Sequence, residues 1–232
     1  MPVKTVAVVT ATTGRPSLLQ AVTSVRDQTY PCTHYVIFDG RDDHGWYTEI
    51  SGYENVRTLM LPKPTGLNGV MNGAICAAAS YLTTEDYICY LDDDNWFEPT
   101  HVESLMSVIA DNAYAYSLRK LVEPDGTFWA NDDGESLGHF GEMSDSNCLM
   151  LQRSLAQGIA PLCMSSTPDG GSTWDRAVWN ALQHHKIKWA ASGKYTVNYR
   201  INSRRSLKGW FFLRNIQMRA HYPDGFPWAS AA

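Results

Sequence analysis

Three consecutive acids, Asp92, Asp93 and Asp94, end the apolar run Tyr87-Ile88-Cys89-Tyr90-Leu91, and Asn95-Trp96-Phe97-Glu98-Pro99 follows. Carboxylates do not crowd together without a partner: two unit charges about 4 Å apart repel by roughly 4 kcal/mol at an effective dielectric near 20. A hard divalent cation with oxygen ligands would relieve that repulsion. The alternative is a helix cap, because acids at a helix start meet free backbone N–H groups and the positive end of the helix dipole. These residues alone leave both readings open.

The run before the acids has the near-continuous apolarity of a strand buried on both faces in a parallel sheet. The acids therefore sit at the carboxyl end of a strand, where open α/β sheets place ligand crevices. The pattern recurs at residues 34–38, a strand ending in Asp39-Gly40-Arg41-Asp42-Asp43. Residues 3–10 are a valine-rich first strand. Ala11-Thr12-Thr13-Gly14-Arg15-Pro16 then reads as a strand-to-helix turn, either an ordinary connection or one whose backbone approaches a ligand closely. Helical spacing begins at Ser17, with Leu18, Ala21, Val22 and Val25 on one face, and Tyr30-Pro31 closes that helix. A third strand is expected at 55–61, an alanine-rich helix from Gly66 to about Leu82, and another helix over about 100–111. This alternation predicts an α/β fold with a mostly parallel central sheet, helices on both faces and right-handed crossovers.

The later half is less regular. Strands are expected at 114–122, 127–130, 147–151, 188–191 and 195–201, giving a small antiparallel addition, with an acidic loop at 131–144 that contains His139. Pro168-Asp169-Gly170-Gly171-Ser172 leads into a helix over about 173–184, with Ser172 and Asp175 spaced as a capping pair. The tail from Ser203 is basic and then aromatic, with Trp210-Phe211-Phe212-Leu213 expected in a helix folded back onto the sheet or over the cleft. No linker divides the chain, so a single domain over 1–232 is expected.

At 232 residues and 44% hydrophobic content, the chain can bury one sizeable core. A net charge of −5 argues against non-specific nucleic-acid binding. The five cysteines are scattered and odd in number, without CxxC spacing, which disfavours a disulfide framework or a zinc site and points to a reducing, cytoplasmic setting. No signal-peptide pattern opens the sequence, and no apolar run approaches the ~20 residues of a membrane span.

Four segments in order then resemble one family. Ser24-Val25-Arg26-Asp27-Gln28-Thr29-Tyr30-Pro31, with the strand ending in Asp39, resembles the opening of GT-A glycosyltransferases, family 2 in particular. Gly66 to Asn72 resembles that family's G-x-x-x-A-R-N segment, and Asp92-x-Asp94 with Pro99 its DxD motif. The resemblance covers roughly residues 3–110, with a weaker echo to about 202. It implies a Rossmann-like GT-A domain whose residues 1–111 bind a nucleotide and 112–202 an acceptor, with 203–232 as a tail. It also implies a nucleotide-sugar donor, UDP-linked by preference, and a Mn2+ or Mg2+ ion bridging its diphosphate. Thr10, Ala11 and Thr12 would line base and ribose, Asp39 would face the pyrimidine, and Asn72 would contact the donor. Asp92 and Asp93 would lie by the ribose and metal shell, with Asp94, and Asp92 beside it, as metal ligands. Asp175 would be the base of an inverting transfer, since Val178, Trp179 and Leu182 follow it at the family's spacing; Asp169 and Asp145 are reserves.

Three positions depart from that pattern. Trp174 stands where the family has glutamate and is expected to offer an aromatic face to an acceptor sugar. Met71 replaces the arginine of A-R-N, leaving Arg15 or Arg41 to supply that contact. Asn202 replaces the histidine of Y-R-x-H, with Arg204 or Arg205 as substitutes at the phosphates. The expected activity is metal-dependent hexosyl transfer to the hydroxyl of a glycan, lipid-linked or protein acceptor; a homodimer is left open. Two alternatives stand beside it: a sugar-1-phosphate nucleotidyltransferase, disfavoured because residues 11–16 lack a glycine-rich basic loop, and a non-catalytic nucleotide-sugar or carbohydrate binder.

Overall fold

Valine-rich and aromatic runs form the strands, and the amphipathic stretches between them form the helices. The computed structural model describes residues 3–66, 71–165, 173–201 and 205–227, with backbone alone for 205–207. The first half runs β1 (Val6–Thr12), α1 (Leu18–Arg26), β2 (Thr33–Phe38), α2 (Trp46–Ile50), β3 (Val56–Met60), α3 (Gly73–Leu82), β4 (Tyr87–Tyr90), β5 (Trp96–Phe97) and α4 (His101–Ile109). The second half continues with β6 (Tyr114–Val122), β7 (Phe128–Asn131), β8 (Leu149–Gln152), α5 (Arg153–Ile159), α6 (Trp174–His184), β9 (Trp189–Arg200) and α7 (Arg205–His221). Asp169, Ser172, Asn202 and Arg204, the side chain of Arg205, and residues 67–70 of the expected alanine-rich helix lie outside the described residues.

The strands form one sheet in the order β3-β2-β1-β4-β8-β6-β9-β5, with β7 beside β6. β3, β2, β1 and β4 are mutually parallel. β8 runs antiparallel to both β4 and β6, and β9 is parallel to β6. Six of the nine strands (β1 to β4, β6 and β9) thus share a direction, and β5, β7 and β8 oppose them.

β1 shows how both faces are covered. Ala7 and Val9 pack with Ile75 and Ala79 of α3 and with Val178, Trp179 and Leu182 of α6. Their neighbours Val6 and Val8 face Ala21 and Val25 of α1 and Val102, Leu105 and Ile109 of α4. Alternate strand residues point to opposite faces, so an unbroken apolar run is what a sheet covered on both sides requires.

The expected strands at 188–191 and 195–201 are one strand, β9. It stays beside β6 throughout, and register shifts opposite Tyr116 to Arg119 absorb the irregular Ser192-Gly193-Lys194. α2 lies in a stretch to which the sequence assigns no element; the Asp42 carboxylate caps it by accepting from the N–H groups of Trp46 at 3.1 Å and Tyr47 at 2.8 Å. α7 folds back through Phe211, which packs on Leu121 and Ile201.

Parallel pairing brings the carboxyl ends of β1, β2 and β4 to one edge. The Asp39 N–H donates to the Thr12 carbonyl at 2.7 Å, and the Leu91 N–H to the Val9 carbonyl at 3.0 Å. The residues that follow each strand therefore meet above that edge.

Candidate active site

A cleft of about 620 Å³ opens over this edge. Ala11, Thr12 and Arg15 line it from the end of β1, Asp39 and Arg41 from β2, and Asp92, Asp93 and Asp94 from β4. Asn72 closes it at the start of α3, and Asp145, Trp174, Asp175, Tyr199 and Arg200 face it from the C-terminal half.

Each of the three acids has a different setting. Asp92 is gripped by two amides: Asn72 Nδ2 donates to its Oδ1 at 2.9 Å and Asn147 Nδ2 to its Oδ2 at 2.9 Å. Its own N–H donates to Asn147 Oδ1 at 2.7 Å. Burial lifts its carboxyl to about 7; Asp145, Asp94 and Asp93 push the same way, and the Asn147 hydrogen bond opposes them. Asp93 is 5% exposed and accepts from Thr12 Oγ1 at 2.7 Å. Burial also raises its carboxyl, against that bond and the Arg15 charge. Asp94 is the more open acid and accepts from Arg15 Nη1 at 3.3 Å. The helix-cap reading fails on position: α4 begins at His101, seven residues past Asp94.

Among the described residues, no group of three or more His, Cys, Asp or Glu side chains is disposed to hold a metal by itself. The donor set explains why. Each oxygen of Asp92 already accepts an amide, and the buried Asp93 is bonded to Thr12. Asp94 alone presents a carboxylate to the cleft without a neutral donor on it. That suits an ion carried mainly by substrate phosphates and touched by one carboxylate. It suits less well an ion caged by protein acids, since both oxygens of Asp92, an expected ligand, already accept amides.

Asp175 sits in the first turn of α6, partly buried, and its Oδ1 accepts from the Arg176 N–H at 2.7 Å. Burial raises its carboxyl, Asp145 adds to the shift, and the Arg176 hydrogen bond opposes it. Asp145 is 7% exposed and bound by Arg119.

Not every expected residue reaches the cleft. Thr10 lies one position short of the cleft lining, fully buried with its hydroxyl 2.9 Å from His34 Nε2; the lining begins at Ala11, nearer the carboxyl end of β1. Asp39 lines the cleft but also ties down the following loop, accepting from Thr65 N–H at 2.7 Å, Thr65 Oγ1 at 2.9 Å and Gly66 N–H at 3.2 Å. Trp174 is only 5% exposed, so it offers no open ring to a sugar. His139 stacks on Trp189 at 4.1 Å and lies outside the cleft lining.

Two residues went unseen. Asn147 joins Asp92 to Asp145, donating from Nδ2 to Asp145 Oδ1 at 2.7 Å. Arg119, 3% exposed, meets Asp132 at 2.7 Å, Glu135 at 3.1 Å and Asp145, and lies 4.2 Å from the ring of Tyr199. The signal for Arg119 was the excess of acids in the 131–144 loop, which burial obliges to find a cation.

The model of glycosyl transferase family 2 matches residues 5–164. The chain belongs to that family. The match takes in the β1, β2 and β4 edges and the three acids of this family 2 chain, and stops short of Trp174 and Asp175. Among solved structures, that of S. aureus TarS 1–349 in complex with UDP shares the fold with a TM-score of 0.62 and 11% identity, over 85% of this chain and 61% of that one. TarS 1–349 in complex with UDP-GlcNAc gives 0.61 and 11%, over 88% and 60%. The chain thus spans about three-fifths of the length of these relatives. No curated protein matches its sequence.

Proposed function

We propose that the chain transfers a sugar from a nucleoside-diphosphate donor, UDP-linked by preference, to an acceptor hydroxyl with inversion at the anomeric carbon. The observation that carries this reading is the cleft itself: on one side Arg15 beside Asp93 and Asp94, on the other the partly buried Asp175 on α6. Family membership supports the reaction class, and the UDP and UDP-GlcNAc complexes of TarS motivate the choice of donor.

Asp94 would hold a Mn2+ or Mg2+ ion together with the donor's diphosphate. When bound, the ion supplies charge stabilisation as the diphosphate leaves. Arg15 lies within reach of the same phosphates. Asp175 takes the proton of the attacking acceptor hydroxyl; a carboxyl raised by burial is a better base than an exposed one. The donor half is assigned to residues 1–111 and the acceptor half to 112–202. The five cysteines are free, in keeping with a reducing, cytoplasmic setting, and among the described residues no helix is long and apolar enough to cross a membrane. The test is release of UDP from a panel of UDP-sugars, with Mn2+ and with EDTA. Pyrophosphate release from UTP and a sugar 1-phosphate would instead mark a nucleotidyltransferase.

A further inference from the structure

Asn72 occupies the N-cap position of α3, where an asparagine side chain ordinarily accepts from the backbone N–H groups of its own first turn. Here it makes no such bond. Its amide is turned outward instead. Nδ2 donates to Asp92 Oδ1 at 2.9 Å, and Oδ1 accepts from Trp174 Nε1 at 3.0 Å. An indole N–H is a donor only. It must therefore meet the carbonyl side of the amide, and that leaves the NH2 group facing the carboxylate. The polarity of the whole string is set at Trp174.

Three local features hold the string in place. Met71, just before Asn72, takes φ +45°, a left-handed conformation that bulky residues adopt only when held there. Gly73, just after it, lets α3 approach the chain so closely that an added Cβ would stand 2.0 Å from the Cys163 carbonyl oxygen and 3.4 Å from Trp174 Cδ1. The Trp174 ring is itself wedged edge-on to Tyr90, with centroids 6.0 Å apart. On the far side of Asp92, Asn147 provides an independent second grip.

We propose that Trp174 is a positioning residue: its indole N–H, acting through Asn72, straps the first turn of α6 to Asp92 and so sets the separation between the base and the donor site. This rests on the reading of Asp175 as base and of Asp92–Asp94 as the donor side. Because Asn147 still holds Asp92 when the strap is cut, loosening falls on α6 rather than on donor binding.

The test uses Trp174→Phe, which keeps an aromatic ring beside Tyr90 and removes the indole N–H together with the five-membered ring that carries it, with Asn72→Ala and the double variant. With Mn2+ and the UDP-sugar that wild type hydrolyses fastest, Trp174→Phe should lower kcat about tenfold, leave the donor KM within about twofold, and lower the melting temperature by no more than about 10 °C, so that the variant is folded at the assay temperature. The double variant should be no slower than Asn72→Ala alone. A second readout needs no turnover: the Trp174 indole N–H, assigned in NMR spectra by its loss in Trp174→Phe, should exchange with solvent at least tenfold faster in Asn72→Ala. An unchanged kcat in Trp174→Phe, multiplying effects in the double variant, or an indole exchange rate indifferent to Asn72 each overturns the proposal. If wild type releases no UDP from any UDP-sugar, the glycosyltransferase reading fails, and the exchange measurement alone decides whether the strap exists.

Discussion

Arg15 Nη1 stands 3.4 Å from Asp93 Oδ1 and 3.3 Å from Asp94 Oδ2, so one half-exposed guanidinium bridges two of the three crowded acids. It supplies the positive charge that their spacing demands. A divalent ion would compete with it for the carboxylates, and a diphosphate would compete for the guanidinium itself. Arg15→Gln should therefore bind Mn2+ alone several-fold more tightly and bind UDP several-fold more weakly, the range set by the ~1 kcal/mol of a solvent-exposed ion pair. Calorimetric titration with each ligand separates the two effects, and equal affinities to wild type for both would place Arg15 outside the donor site. Asp94→Asn should cost about 10²-fold or more in Mn2+-dependent UDP release while leaving the far-ultraviolet circular dichroism unchanged.

Asp175→Asn preserves shape and removes the proton acceptor. UDP binding should stay within about twofold of wild type, and transfer should fall by roughly 10²–10⁴-fold, the usual contribution of a general base. Near-normal transfer would move the base elsewhere in the cleft, with Asp145 disfavoured by its ion pair to the buried Arg119.

The side of the cleft built on β1, β2 and β4 was legible because it is built from local signals. Apolar runs at residues 34–38 and 87–91 end in acids, and parallel strands must bring those ends together. The opposite side was not, because its key contacts span long sequence separations. Asn147 sits 55 residues from Asp92 and ends the short polar run Ser144-Asp145-Ser146-Asn147 ahead of an apolar strand, which carries no pattern to single it out. Trp174 looked like an acceptor platform because it stands where the family has glutamate; the approach of α3, Tyr90 and the 160–164 turn buries it. Thr10 falls short for a smaller reason: β1 runs on to Thr12, so the cleft above its carboxyl end begins one residue later, at Ala11.

Arg119 should prove the costliest single truncation in the C-terminal half. Nε, Nη1 and Nη2 each meet a different carboxylate, from Asp132, Asp145 and Glu135. Removing it strands Asp132 and Asp145 and leaves Glu135 with Arg176 alone, all three at no more than 11% side-chain exposure. Arg119→Ala should lower stability by about 3–5 kcal/mol in urea unfolding, the usual penalty for breaking a buried ion pair. Arg119→Lys should recover only part of that, since a point charge cannot address three carboxylates in a fixed fork. A loss below about 1 kcal/mol in Arg119→Ala would show that the network adds little.

Two fully buried histidines, His34 on β2 and His101 at the start of α4, make stability depend on pH. His34 shares Nε2 with Thr10 Oγ1 at 2.9 Å, and His101 shares Nδ1 with Thr196 Oγ1 at 2.8 Å. The second ring nitrogen of each is buried without a partner among the described residues, and burial holds each ring down to about 3. In the unfolded chain both titrate near 6.5. Between those values the unfolded state binds more protons, so the neutral rings stabilise the fold fully above about pH 6.5 and that contribution is lost as pH falls toward 3. The slope is up to about 1.4 kcal/mol per pH unit for each ring. Asp92, lifted to about 7, works with the opposite sign, so the comparison must be made between variants at each pH rather than along one curve. His34→Gln with His101→Gln should narrow the stability difference between pH 7.5 and pH 5 by about 2–4 kcal/mol relative to wild type in urea unfolding. A double variant whose acid sensitivity matches wild type would mean that these rings take up protons without the fold opening.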